Sequence, residues 1–239
     1  MNLFLVVTFL FFSGSIGGWC IELLWRRFFS SNNPERRWIN PGYLTGPYLP
    51  LYGFSLTILF FLSLIDVRFI EKVWLQKTVL FICMALSITA FEYVAGLIFL
   101  KGMKIKLWDY SKCWGNFQGI ICPMYTFFWY ILSATYYFII HPRVLNWLYW
   151  FTNHIGFSFV VGLFYGVMLC DFANAMNIMT KLRKLAKESN IIVRIENIQH
   201  ILRNIKEERK EHVPFWFSFK SEVGSLKEAV ERFKEKNNG

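Results

Sequence analysis

The chain has 239 residues, of which 55% are hydrophobic, 20% aromatic and 18% charged. Soluble domains carry about a quarter charged residues and interrupt their apolar runs more often, so this composition excludes an ordinary water-soluble globule. The net charge of +10 lies at the edges of apolar runs and forms no basic–aromatic signature; this excludes nucleic-acid binding and points to membrane topology and anionic headgroups.

A helix crosses a bilayer with about 20 apolar residues. Five runs have that character: 3–25, 48–65, 78–100, 121–140 and 145–172. The first has no preceding Lys or Arg and no clear small-x-small cleavage site, so it reads as an uncleaved helix. The last is longer than a crossing requires and is expected to tilt or to emerge into the cytoplasm. Arg26, Arg27, Arg36 and Arg37 lie in the loop 26–47, and Lys101, Lys104, Lys106 and Lys112 in the loop 101–120. Around the second loop Arg68, Lys72 and Lys77 are mixed with Asp66 and Glu71, the fourth has Arg143, and fourteen basic residues follow the last run. The positive-inside rule then places the N-terminus outside and the C-terminus inside. The expected fold is all-α: a polytopic membrane helix bundle of about five transmembrane helices with cytoplasmic amphipathic C-terminal helices, in the cell (inner, cytoplasmic) membrane. Residues 1–176 form the bundle and 177–239 a basic cytoplasmic tail. The five cysteines include no CxxC and no zinc spacing, and read as free thiols.

Both unusual loops fall on the cytoplasmic side. NPGYLTGPYLPLYG, residues 40–53, and LWDYSKCWGNFQG, residues 107–119, each lead into a returning helix. Pro47 and Pro50 suit a helix start, where a missing N–H costs little. Gly42, Gly46 and Gly53 permit positive φ or close helix approach, and Gly96 and Gly119 belong to the same loop-shaping set. Such loops suit a folded re-entrant cap lining a wet cavity. Glu22 shares a face with Gly14, Ser15 and Gly18; Glu92 with Ala85, Thr89 and Gly96; Asp171 lies within about a turn of Gly166 and Asn174. Acids in membrane helices are costly and are functional candidates by default. With Asp109, Asn40 and Asn116 they outline a polar pocket open to the cytoplasm, for which Tyr52, Trp108 and Tyr110 are further candidates. Glu22, Glu92, Asp109 and Asp171 are the candidate oxygen ligands for a divalent cation. The alternative is local: Glu22 and Asp171 paired with Arg26, Arg27 or Lys181 at the interface, and Asp109 in an Asx-turn. Most tryptophans, Trp19, Trp25, Trp38, Trp108 and Trp129 among them, read as an interfacial belt. Gly14-x-x-x-Gly18 and Gly162-x-x-x-Gly166 suit helix packing within one chain or between two copies.

In the tail, Lys181, Arg183, Lys184 and Lys187 suit anionic headgroups. Ile191, Ile195, Ile198, Leu202 and Ile205 follow at 4-3-4-3 spacing, an amphipathic helix that packs on the bundle, pairs with a partner or lies on the membrane. Pro214 breaks the pattern, FWFSF (215–219) suits the interface, and Leu226, Val230 and Phe233 share one face of a last helix.

The string N-P-G-Y-L-T-G-P-Y-L-P-L-Y-G, the later F-E-Y-V-A-G, and W-D-Y-S followed by N-F-Q-G resemble, in order and spacing, the bacterial family described as putative ABC-transporter type IV. The resemblance spans roughly residues 15–185. It covers Asn40, Gly42, Gly46, Pro47, Pro50, Tyr52, Gly53, Glu92, Gly96, Trp108, Asp109, Tyr110, Ser111, Asn116 and Gly119. It departs at Pro41, where the family pattern has Arg, and in the spacer Lys112–Trp114. It implies a multi-pass permease component. The chain has no G-x-x-x-x-G-K-[ST] and so no nucleotide site of its own, which calls for a separate ATPase subunit; the alternative partner is a second copy of the chain, a homodimer. Two rivals stay open: a membrane-embedded enzyme acting on a lipid or lipid-linked substrate, and a non-catalytic scaffold that recruits a partner through its tail.

Overall fold

Long apolar runs can satisfy their backbone in a bilayer as helix, and the chain is mostly helical. The computed structural model describes residues 2–30, 33, 35–66, 70–188, 192–208 and 223–238. Arg68, Ile191, Pro214 and the aromatic run 215–219 lie outside the described residues. The elements are α1 (Leu3–Phe28), α2 (Pro50–Ser63), α3 (Val73–Met103), β1 (Ile105–Lys106), α4 (Pro123–Thr135), α5 (His141–Asn153), α6 (Ser158–Glu188), β2 (Val193–Arg194), α7 (Ile195–Glu208) and α8 (Val223–Asn238). A π-helical turn, Tyr136–Ile140, joins α4 to α5, and a 3-10 turn, Ile155–Phe157, leads into α6. Three stretches are long and apolar enough to cross a membrane: Leu3–Phe28, Val73–Met103 and Ile155–Glu188. Protein buries 11% of the apolar window of the third, so most of its apolar surface is exposed. The 14-residue α2 is apolar but shorter.

One expected boundary moves. The sequence places a turn at residues 141–144, between the fourth and fifth runs, whereas the helix continues through Pro142. Proline lacks an N–H, and its ring strikes the carbonyl four residues back. Here the π turn lets the His141 N–H reach Tyr136 O, five residues back, which re-spaces the carbonyls around the proline. The break falls at His154, where φ is −125° and ψ is 54° and the ring stacks on Trp150 at 4.6 Å. The run 145–172 is therefore two helices.

The chain forms two units. The first comprises Met1–Gly18, Leu49–Val94 and Tyr110–Gly166. Its core joins Phe9 and Leu10 of α1, Leu59 and Phe60 of α2, Phe81, Met84 and Ile88 of α3, Tyr136, and Val144, Leu148 and Phe151 of α5. Phe9 stacks on Phe151 at 4.6 Å. Small residues let α1 and α2 approach closely. A Cβ on Gly14 would stand 2.8 Å from Leu56 Cβ, one on Gly18 would overlap Tyr52, and one on Gly53 would overlap Ser15 Oγ. The Leu49 N–H donates to Ser15 O at 3.0 Å, so α1 also satisfies the start of α2. The first small-residue motif thus packs within one chain, while a Cβ on Gly162 or Gly166 would meet nothing within 4 Å.

The second unit comprises Trp19–Tyr48, Ala95–Asp109 and Val167–Gly239. Its core joins Ile105 of β1, Met179, Leu182 and Ala186 of α6, Val193 of β2, Ile198, Leu202 and Ile205 of α7, and Leu226, Ala229, Val230 and Phe233 of α8. Ile195, Ile198, Leu202 and Ile205 of the tail's heptad-spaced set therefore pack in this core. The strands β1 and β2 pair in parallel, Ile105 with Val193 and Lys106 with Arg194.

Leucine at position 53 should cost about 1–3 kcal/mol of stability by overpacking, whereas Gly162→Leu should leave the thermal midpoint unchanged. Fluorescence-detected melting in detergent compares them, and equal shifts would refute the α1–α2 contact. Leu202→Ala should cost about 2–5 kcal/mol, read in the same assay.

Candidate functional site

An acid inside an apolar helix must be supplied with donors, and each candidate carboxylate is engaged. In the first unit Glu92 of α3 is 3% exposed. Tyr110 donates its O–H to Oε1 at 3.1 Å, and Trp129 of α4 donates its Nε1–H to Oε2 at 3.0 Å. Each carboxylate oxygen thus has one neutral donor. The Tyr110 ring stacks on Tyr125 at 4.2 Å, and Tyr52 lies 6.0 Å from the Trp129 ring. Burial, then the charge of Glu92, push the Tyr110 phenol above its usual range, so it stays a donor. Ala85, Thr89 and Gly96 are buried like Glu92, and Thr89 Oγ1 donates to Thr126 Oγ1 at 3.2 Å.

Tyr110 is held by a loop that folds on itself. Its N–H donates to Gly119 O at 2.8 Å, and Phe117 N–H to Ile121 O at 2.8 Å. Asn116 bonds inward: Nδ2 to Ser111 O and Cys113 O, and Oδ1 to the Gly119 N–H at 3.1 Å. Gly119 has φ 69°, a conformation costly for other residues. Asn116 is therefore a loop brace, which is what aims the Tyr110 hydroxyl at α3.

In the second unit the segment 40–48 wraps a carboxylate. Asp171 Oδ2 accepts from the Thr45 N–H at 2.7 Å, the Gly46 N–H at 3.0 Å and the Tyr48 O–H at 2.7 Å. Two successive N–H groups form an anion nest, and bonds to a charged acceptor are the strong ones. A Cβ on Gly46 would overlap the Tyr48 ring, so glycine is required there for close approach. Asn40, 5% exposed, braces the turn, taking the Trp19 Nε1–H at 2.6 Å on Oδ1 and donating to Leu44 O and Thr45 O. Gly42 has φ 80°, and its carbonyl accepts from Gln199 of α7 at 2.9 Å. Burial, then the Asp171 charge, raise the Tyr43 phenol to about 12. Pro47 is exposed, and Pro50 is the first residue of α2.

Asp109 joins β1 to β2: Oδ1 takes Lys106 Nζ at 2.9 Å and Oδ2 pairs with Arg194. Glu22 pairs with Arg26 at 3.0 Å, one turn on. Trp108 is half-buried in the same unit. Glu92, Tyr110, Tyr52 and Asn116 thus belong to the first unit, and Glu22, Asn40, Asp109 and Asp171 to the second. Among the described residues no group of three or more His, Cys, Asp or Glu is placed to hold a metal ion.

Several partners were not singled out from sequence. Trp19 and Trp129 read as belt residues but donate to Asn40 and Glu92. The available signal was position: Trp129 falls mid-run in 121–140, where an indole N–H needs a protein acceptor. Tyr48, Arg194 and Gln199 carry no local signal, because their partners lie 123, 85 and 157 residues away in sequence.

Glu92→Gln should destabilise by about 1–3 kcal/mol, because the amide NH2 then faces either the Tyr110 or the Trp129 donor. Adding Trp129→Phe to Glu92→Gln should recover part of that loss, measured as a double-mutant cycle of thermal stability. Strict additivity would refute the contact. Tyr48→Phe should cost about 1.5–3 kcal/mol, the value of a bond to a charged acceptor.

No curated protein matches the chain, and no solved structure does. A family model described as "Putative ABC-transporter type IV" matches residues 9–176, which contain Glu92, both shaped loops and the Asp171 nest. The protein is thus ABC-transporter-related and membrane-associated, with three apolar helices fit for embedding. On a match over well more than half its length, the chain belongs to the putative ABC-transporter type IV family.

Proposed function

We propose that the chain is the membrane subunit of a transport assembly in the cell membrane. It crosses about five times, with its N-terminus outside and its C-terminus inside, and works with a separate ATP-hydrolysing subunit. The observation that carries this reading is the composition of the second unit. It gathers Trp19–Tyr48, Ala95–Asp109 and Val167–Gly239. These segments hold Arg26, Arg27, Arg36, Arg37, Lys101, Lys104, Lys106 and the fourteen basic residues beyond the last run. They include the loop 26–47, the first part of the loop 101–120 and the tail, which the positive-inside rule assigns to the cytoplasm. An ATPase binds from that side, and α7 and α8 share a core with the end of α6 and with β1. A load on the tail is thereby transmitted to the segment that leaves the membrane.

Glu92 supplies the polar site of the reading. A carboxylate at depth costs about 2.5–3.5 kcal/mol even on lenient insertion scales, and such groups mark solute or proton paths. Tyr110, Trp129, Tyr125 and Tyr52 surround it with hydrogen-bonding and aromatic surface suited to an amphipathic solute.

The test has two parts. A reporter fused to the C-terminus should be active in the cytoplasm, and an external reading would overturn the orientation. The full chain, purified from its native membranes, should carry stoichiometric nucleotide-binding protein and vanadate-sensitive ATP hydrolysis. Charge reversal at exposed α8 positions, Lys227→Glu with Lys234→Glu, should lower both at least about tenfold, as expected when docking charges clash. A chain that hydrolyses no ATP with any partner, and whose Glu92→Gln variant is silent in cells, would make it a scaffold instead.

A further inference from the structure

The segment Lys112–Trp114 forms the tip of the loop that holds Glu92. The loop is rigid in the ways described: Asn116 braces it, and Gly115, Gln118 and Gly119 have positive φ of 64°, 55° and 69°. Its base is fixed to α3 twice, by the Tyr110–Glu92 bond and by the Tyr93–Phe117 ring contact at 5.6 Å. A braced loop normally turns its aromatic side chains inward. This one holds Trp114 87% exposed and Phe117 55% exposed, with Lys112 exposed beside them. Holding a large apolar side chain in water gains nothing, since burying it is worth about 1.5–3 kcal/mol.

We propose that Trp114, with Phe117 and Lys112, anchors this loop in the headgroup layer of an anionic bilayer. Three observations select lipid as the occupant. The loop is fixed to α3, one of the three helices fit to cross a membrane. The helix that follows the loop, α4, starts at Pro123 and exposes Met124, Phe127, Phe128 and Ile131, so loop and helix both present large apolar side chains outward. The tip also pairs an indole, which prefers the interface, with a cation that matches anionic headgroups. The anchor fixes the depth of Tyr110 and so of its donor to Glu92. It stands whether or not the transport reading does, because it concerns the bilayer and no second subunit.

The experiment uses the full chain in nanodiscs. Intrinsic fluorescence of the wild type minus that of Trp114→Phe isolates the emission of this indole. Bromines near the headgroup end of the acyl chain should quench that difference at least about twofold more than aqueous iodide does, as an interfacial indole requires. Replacing anionic with zwitterionic lipid should weaken the bromine quenching, and Lys112→Gln should remove that lipid dependence. Free quenching by iodide would place the tip in water, and resistance to both quenchers would place it under protein; either result overturns the anchor. Trp114→Tyr serves as a second subtrahend, so that a folding defect in one variant does not decide the outcome.

Discussion

A carboxylate cannot be left unpartnered among apolar helices, and the fold is organised around meeting that demand. Glu92 is met by Tyr110 and Trp129, Asp171 by Thr45, Gly46 and Tyr48, Asp109 by Lys106 and Arg194. In each case some donors come from a segment that a simple connector would leave slack. The two shaped loops are therefore the complement of buried charge. Glycine at 46, a positive φ at Gly42 and Gly119, and the bracing amides Asn40 and Asn116 are what bring donors to oxygen. Remove the acid and the loop has no reason for its shape; remove the shape and the acid has a desolvation cost with no compensation.

The partners differ in kind, and the difference bears on function. Asp171 receives two backbone N–H groups and a phenol on one oxygen, an arrangement suited to permanent fixation. Asp109 is neutralised by two cations, which ties the tail to the third loop. Glu92 receives neutral donors alone among the contacts described, and it sits among aromatic rings. A carboxylate held by neutral donors alone meets no counter-charge in those bonds. That contrast makes Glu92 the centre of the proposed solute site, and makes the other two acids ties within their own unit.

The tail follows the same logic at its own scale. Its apolar stripe is narrow and two heptads long, too little for an independent coiled coil. Packed with α8, the end of α6 and β1, the stripe becomes one side of a closed core. Gln199 and Arg194 then add polar ties from α7 and β2 to the first and third loops. The tail is thus built into the unit that holds those loops, which is the mechanical property a coupling element needs.

Much of this was legible in the sequence. Apolar runs of bilayer length dictate helices because no other open structure satisfies a backbone in lipid. Glycine and proline at 42, 46 and 50 announce a shaped loop, and an acid at 92 inside an apolar run announces a buried polar contact, because both types are expensive where nothing requires them. Tertiary structure decided the pairings. Trp19 and Trp129 changed from belt residues to donors, Asn116 became a brace, Asp171 met the 40–48 loop, and the helix passed through Pro142 by means of a π turn. Each depends on which groups a three-dimensional path brings within about 3 Å, the reach of a hydrogen bond. Periodicity along the chain carries no information about partners more than a hundred residues apart: the sequence determined that these polar groups had to be satisfied, and only the fold decided by which others.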